Sequence, residues 1–105
     1  WKTKELIMIV NFVGLKGLDE EEISILHRIS KTEKKKIARD LENSKIILVI
    51  KKEDRDGKRA RYILEAKIDN PNTVYKAQAE EWDLAKATHK IFNKLEQEIR
   101  HKLQD

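Results

Sequence analysis

Midway along the chain stand five consecutive aliphatic residues, Ile46-Ile47-Leu48-Val49-Ile50. A run of that length, rich in β-branched side chains, predicts a buried strand. The polar stretch Glu53–Lys58 follows and contains Asp56-Gly57, a dipeptide suited to a hairpin turn. From Arg61 to Ile68 the pattern alternates, with Tyr62, Leu64, Ala66 and Ile68 on one side and Arg61, Ile63, Glu65 and Lys67 on the other. Asn70-Pro71-Asn72 predicts a second turn. Thr73 to Glu80 then reads as another strand, with Tyr75, Ala77 and Ala79 inward. Strands joined by such short turns pair antiparallel. The middle of the chain is therefore a three-stranded meander.

The flanks complete the fold. Leu6 to Val13 is a short apolar run, predicted as the first strand, and Gly14 and Gly17 end it. Asp19 to Glu22 are four acids, the charge a helix N-terminus favours. Ile23, Leu26, Ile29, Ile37 and Leu41 recur at helical spacing, which predicts a helix over about 19–42. The apolar stripe lapses over Ser30–Lys36, and Ser30 with Glu33 has capping-box spacing, so two helices are also allowed. Trp82, Ala85, Phe92, Leu95, Ile99 and Leu103 make the stripe of a long last helix over 82–103. The order β-α-β-β-β-α predicts an α+β domain. Its four-stranded mixed sheet has the first two strands parallel across the helical crossover and both helices on one face. The opposite face would carry Ile63, part of the Ile46–Ile50 run and half of the first strand. That is more apolar than a solvent-facing surface usually is. A homodimer partner or a neighbouring domain is expected on it, unless the sheet tolerates the exposure.

Length and composition bound the rest. At 105 residues the chain makes one domain, and it begins at Trp1, as a processed protein or a piece of a longer one would. Charged residues make up 40% and hydrophobic residues 39%, so a small core carries a very charged surface. No apolar run approaches the ~20 residues of a membrane span. With no cysteine there is no disulfide scaffold, thiolate metal site or cysteine nucleophile. His27, His89 and His101 have no metal-ligand spacing, so no metal is expected. Ser24, Ser30 and Ser44 lie in no nucleophile motif. Glu80, Glu81 and Asp83 cluster at the start of the last helix, where the dipole accounts for them without catalysis. Phosphate-binding and dinucleotide fingerprints are absent, so no cofactor and no enzymatic activity are expected. Gly14-Leu15-Lys16-Gly17 matches the Gly-x-x-Gly of KH domains, but it follows a strand rather than joining two helices and reads better as a turn.

The charge is more informative. Residues 1–26 carry net −2, residues 27–61 net +7 and residues 62–105 net −1. Lys86, Lys90 and Lys94 share one face of the last helix, and Gln97 and His101 continue that row. Arg28, Lys31, Lys35 and Arg39 form a similar row on the first helix. Like charges one turn apart repel, and nucleic-acid phosphates would relieve the repulsion. The competing reading is a solvated face, with Asp40, Glu96 and Glu98 diluting both rows.

The second half of the chain resembles a known family. Ile68-Asp69-Asn70-Pro71-Asn72-Thr73-Val74-Tyr75-Lys76-Ala77 is similar to the strand-turn-strand of the ribosome hibernation-promoting factors and protein Y, the ribosome-associated inhibitors. Asp83 and Ala87 fall on the Asp and Ala of that family's helix start. Asn93-Lys94-Leu95-Glu96 matches its Asp/Asn-Lys-Leu-Glu, and Ile99 its next core position. The match is gapless from about Ile68 to Ile99, whereas residues 1–67 agree in pattern only. Ala85 stands at a usual Tyr, and Thr88-His89 where Ile-Asp or Ile-Asn is typical, as in a distant or archaeal-type member.

The resemblance implies a double-stranded RNA-binding-domain-like fold and a cytoplasmic, stress-related, non-enzymatic role. Such domains bind the small ribosomal subunit between head and body and occlude the mRNA/tRNA channel, with basic helix residues on ribosomal RNA. The expected RNA-binding residues are Arg28, Lys31, Lys35, Arg39, Lys86, Lys90, Lys94 and His101. Lys94 is the position best matched by the motif. Two alternatives stand beside this reading, an oligomerisation or interaction domain of a larger protein and a general double-stranded RNA-binding domain.

Overall fold

The computed structural model describes residues 9–38, 41, 44–55, 57, 59–70 and 73–104. Strand β1 (Ile9–Val13) leads through a single 3-10 turn (Leu15–Gly17) into helix α1 (Glu20–Ala38). Strands β2 (Lys45–Arg55), β3 (Arg59–Asn70) and β4 (Thr73–Glu81) follow, and helix α2 (Leu84–Gln104) closes the chain. The sheet order is β1-β2-β3-β4, with β1 parallel to β2 and the other neighbours antiparallel. This is the predicted α+β architecture. Leu6 to Met8, Pro71-Asn72 and the Leu103 side chain lie outside the described residues.

The alternation over 61–68 sets the register. Ile46 pairs with Ile68, Leu48 with Ala66 and Ile50 with Leu64, while Leu64 meets Ala79 and Ile68 meets Tyr75 on β4. All of these are buried under the helices. From α1, Leu26 and Ile37 enter the same core, joined by Ile91, Phe92, Leu95 and Ile99 of α2. Ile47, Val49 and Ile63 occupy the opposite face, as alternation requires, and remain only half-buried.

Four local readings are revised. The first half of the polar stretch Glu53–Lys58 is strand: β2 runs to Arg55, which pairs with Arg59, and Gly57 between them takes φ +77°. Main-chain pairing in a tight hairpin is indifferent to side-chain polarity, and Glu53 opposite Arg61 favours it. Helix α1 does not break at Ser30. Ser30 and Glu33 are buried inside it, so the lapse in the stripe records polar residues at an interface. The capping box is formed instead by Asp19 and Glu22: Glu22 N–H donates to Asp19 Oδ1 (2.8 Å), and Asp19 N–H donates to Glu22 Oε1 (3.0 Å). Finally, α2 starts at Leu84, where Asp83 Oδ1 accepts from Lys86 N–H (2.8 Å). Glu80 and Glu81 therefore end β4, and Trp82 stands outside the helix, half exposed under the Arg59 guanidinium (4.6 Å from its ring centre).

The glycine pair after β1 is a structural turn. Gly14 has φ +98°, and a Cβ there would lie 2.2 Å from the Ile50 carbonyl oxygen. The backbone reverses against β2 at a distance only glycine permits. The loop then enters one helix and does not join two, so it lacks the KH arrangement.

Candidate nucleic-acid interface

Both helices lie on one side of the sheet and pack against each other. Their outward sides form one surface, and its charge is one-sided. The exposed residues of α1 beyond its first turn are Ser24, His27, Arg28, Lys31, Thr32, Lys35 and Lys36. Those described on α2 are Lys86, His89, Lys90, Asn93, Lys94, Gln97, Arg100, His101 and Lys102. None is acidic. Glu33 is buried, and Glu96 and Glu98 are half-buried. The latter two hold Arg100 (2.6 Å) and Lys102 (3.4 Å) from the side. Glu96 and Glu98 thus dilute the basic surface less than their place in the sequence suggests. Arg39 and Asp40 lie outside the described residues.

The two rows differ in what else they do. Arg28, Lys31 and Lys35 point away from the core, opposite Leu26, Ile29, Glu33 and Ile37. Among the described residues none of the three has an ion pair. The α2 row runs beside the open edge of β4. Lys86 is exposed there without an ion pair among the described residues. Lys90 reaches Glu81 (3.2 Å). Lys94 Nζ donates to the Gln78 carbonyl (2.7 Å), and Lys102 Nζ donates to the Val74 carbonyl (3.0 Å). Lys102 also sits 5.0 Å from the centre of the Tyr75 ring. Gln78 and Val74 are four residues apart on a strand and the two lysines eight apart on a helix, spans of about 13 and 12 Å. The lysines therefore satisfy an unpaired edge while keeping their charge. Lys102, Arg100 and His89 were not among the sequence-predicted contacts. A helical projection with α2 packed through Phe92, Leu95 and Ile99 finds Arg100 and His89, whereas Lys102 is reached only through the strand edge.

The helix pair is joined at the surface by a polar contact. His89 Nδ1 lies 3.2 Å from Glu33 Oε1, and Lys36 Nζ lies 2.8 Å from Glu33 Oε2. Burial pushes the Glu33 carboxyl up, but its bonds to Lys36 and His89 outweigh this and hold it below the ordinary 4.5. At the other end of the layer, Glu22 accepts from Lys52 (3.2 Å) and from the Tyr62 hydroxyl. Burial again raises the carboxyl, and the bonds from Tyr62, the Asp19 N–H and Lys52 again outweigh it. These two carboxylates tie α1 to the sheet and to α2, which fixes the direction in which the basic rows point. Among the described residues no group of three or more His, Asp or Glu side chains is placed to hold a metal ion. No helix is long and apolar enough to cross a membrane.

No protein-family profile and no curated protein sequence matches this chain. Solved structures do. A ribosomal subunit interface protein from Coxiella burnetii superposes with a TM-score of 0.55 at 23% identity, over 93% of this chain and 100% of that one. The N-terminal domain of Protein Y from Thermus thermophilus superposes with a TM-score of 0.51 at 14% identity, over 94% and 99%. Nearly the whole chain takes part in both superpositions. The β-α-β-β-β-α chain thus has the fold of the ribosomal subunit interface proteins and protein Y.

Proposed function

We propose that this chain is a ribosome-associated factor. As one domain in the cytoplasm, it binds ribosomal RNA of the small subunit through its helix layer and silences the idle particle by occupying the mRNA/tRNA channel. The observation that carries this reading is the outward surface of α1 and α2, on which the fully exposed residues beyond the first helical turn are basic or neutral and Glu96 and Glu98 are partly exposed among the described residues. A solubilising surface mixes signs, whereas a phosphate-binding one does not. The shared fold with a ribosomal subunit interface protein and with Protein Y supports the choice of partner. Steric occlusion needs no catalytic group, and affinity comes from phosphate contacts made by Arg28, Lys31, Lys35, Arg39, Lys86, Lys90, Lys94 and His101. Arg28, Lys31, Lys35 and Lys86 are free to bind at once. Lys90 must exchange Glu81 for a phosphate, and Lys94 shares its ammonium with a neutral carbonyl.

Co-sedimentation with purified ribosomal subunits over a salt series tests this. Saturable binding to the small subunit is expected, with log K falling by roughly 0.7–0.9 per phosphate contact for each decade of salt. The Lys31→Glu/Lys35→Glu/Lys86→Glu variant should fold normally and lose binding. Absence of binding at low salt would overturn the proposal. Equal affinity for plain RNA duplex would replace it with general double-stranded RNA binding.

A further inference from the structure

His89 is a titratable residue of the helix surface to which the proposed function gives no role. Its side chain stands where the two helices meet, 56% exposed, with Nδ1 3.2 Å from Oε1 of Glu33, whose own side chain is 5% exposed. Burial pushes the Glu33 carboxyl up, but its bonds to Lys36 and His89 keep it below the ordinary 4.5, so it is ionised at neutral pH. An ionised carboxylate only accepts hydrogen bonds. The shared contact therefore needs a proton on Nδ1, and Nδ1–H donates to Glu33 whether the ring is neutral or charged. Nε2, across the ring from this bond, has no partner among the described residues. In the neutral ring Nε2 is then a bare lone pair, and only protonation makes it an N–H donor.

The ring lines an open groove of about 500 Å³ along α2 with Lys86, Lys90, Asn93 and Lys94. From β4 the groove is faced by Glu81, which is held by Lys90 (3.2 Å). From α1 the ring is faced by Glu33 and by Lys36, whose Nζ lies 2.8 Å from Glu33 Oε2. A phosphate oxygen only accepts, so a bare Nε2 repels it and a protonated Nε2 binds it. The other two histidines, His27 and His101, are exposed on the helices without this constraint. His27 lies against the Phe12 ring (centroids 4.8 Å apart), and His101 borders a groove with Lys76, Lys94 and Glu98. Neither ring is fixed by a hydrogen bond among the described residues, so either can turn an N–H outward while neutral.

We propose that His89 is a pH-gated phosphate contact of the helix surface: Glu33 holds the ring so that Nε2 meets the RNA backbone, and only the protonated ring donates to it. RNA is then held more tightly as pH falls through the range in which histidines gain charge, and binding draws a proton onto His89. Glu33 touches no RNA and acts through His89, as a positioning residue. This inference deepens the ribosome reading and rests on it.

Co-sedimentation with purified small subunits at fixed salt, at about pH 6 and about pH 8, is the test. The His27→Gln/His101→Gln chain, in which His89 is the only histidine, should bind roughly tenfold more tightly at the lower pH, the worth of one charge-assisted hydrogen bond. Adding His89→Gln should abolish the difference. Nitrogen NMR of the free chain at about pH 8 should show the His89 proton on Nδ1. Glu33→Gln, whose amide donates as well as accepts, should free that proton to move to Nε2 and shrink the pH effect. Circular dichroism shows which variants are folded; should Glu33→Gln unfold, the His89→Gln comparison and the NMR spectrum decide alone. Subunit binding without pH dependence, a pH effect that survives His89→Gln, or a neutral ring protonated at Nε2 overturns this proposal and leaves the ribosome reading standing. Absence of binding at either pH overturns both.

Discussion

Lys94 Nζ donates a 2.7 Å hydrogen bond to the carbonyl oxygen of Gln78, so the best-matched basic residue of α2 is also a guard on the open edge of β4. The row Lys86, Lys90, Lys94 is uniform in sequence and heterogeneous in its work. Lys86→Glu is expected to leave the urea midpoint within about 0.5 kcal/mol of wild type, the usual range for a surface change. Lys94→Glu removes the donor and sets a carboxylate beside a carbonyl oxygen. It should cost about 1 kcal/mol and promote aggregation through the bared edge. Equal stability of the two variants, measured by urea unfolding, would show that the edge contact contributes nothing.

Glu22 anchors the start of α1 to Lys52 and Tyr62, and Glu33 joins α1 to His89 and Lys36. Both carboxyls sit below the ordinary 4.5, because hydrogen bonds outweigh the upward push of burial. Their contribution to stability is therefore complete above that value and is lost as pH falls through the lower, folded-state values. The urea midpoint should hold as pH falls to about 4.5 and drop below it. Glu22→Gln should be less stable at pH 7, by roughly 1–3 kcal/mol, and its midpoint should fall less steeply with acid. A parallel acid profile in the variant would remove Glu22 from the account.

Gly14 and Gly57 both have positive φ but differ in surroundings. A Cβ at Gly14 would strike the Ile50 carbonyl at 2.2 Å, while one at Gly57 meets nothing within 4 Å. Gly57→Ala should cost about 1 kcal/mol, the conformational penalty alone. Gly14→Ala adds displacement of main chain against a central strand and should cost about 3 kcal/mol or more. Chemical denaturation of the pair measures the difference.

Ser30 is buried at 2% exposure, and its hydroxyl has no hydrogen-bond partner. Ser30→Ala should be neutral or stabilising by up to about 1 kcal/mol, since it removes an unsatisfied group and favours the helix. A loss of 1 kcal/mol or more in urea unfolding would mean that the hydroxyl is satisfied in solution.

Much of this fold was legible in one dimension because its strands carry their own burial code. The alternation of Leu64, Ala66 and Ile68 against Ile63, Glu65 and Lys67 predicted which side faces the helices, and the register agrees. The stripe through Phe92, Leu95 and Ile99 did the same for α2. Reading failed where a polar residue is buried by a specific partner. Ser30 and Glu33 suggested a helix break, because the buried Glu33 is held both by Lys36 on the next turn and by His89, 56 residues away. Trp82 was read into the helical stripe, although its ring is covered by Arg59 on the β2–β3 hairpin. Glu81 was read only into the helix-start cluster and proved to extend by one residue the strand predicted over Thr73 to Glu80.

Hydrophobic period and turn chemistry, properties of neighbours along the chain, determined the element order, the crossover and the two faces of the sheet. Only the tertiary structure decided which charges act together. It buried Glu33, left Glu96 and Glu98 only partly exposed, and set Lys94 and Lys102 on the edge of β4. Charge interactions depend on distance and solvent exposure in space, and neither is encoded by spacing in the sequence.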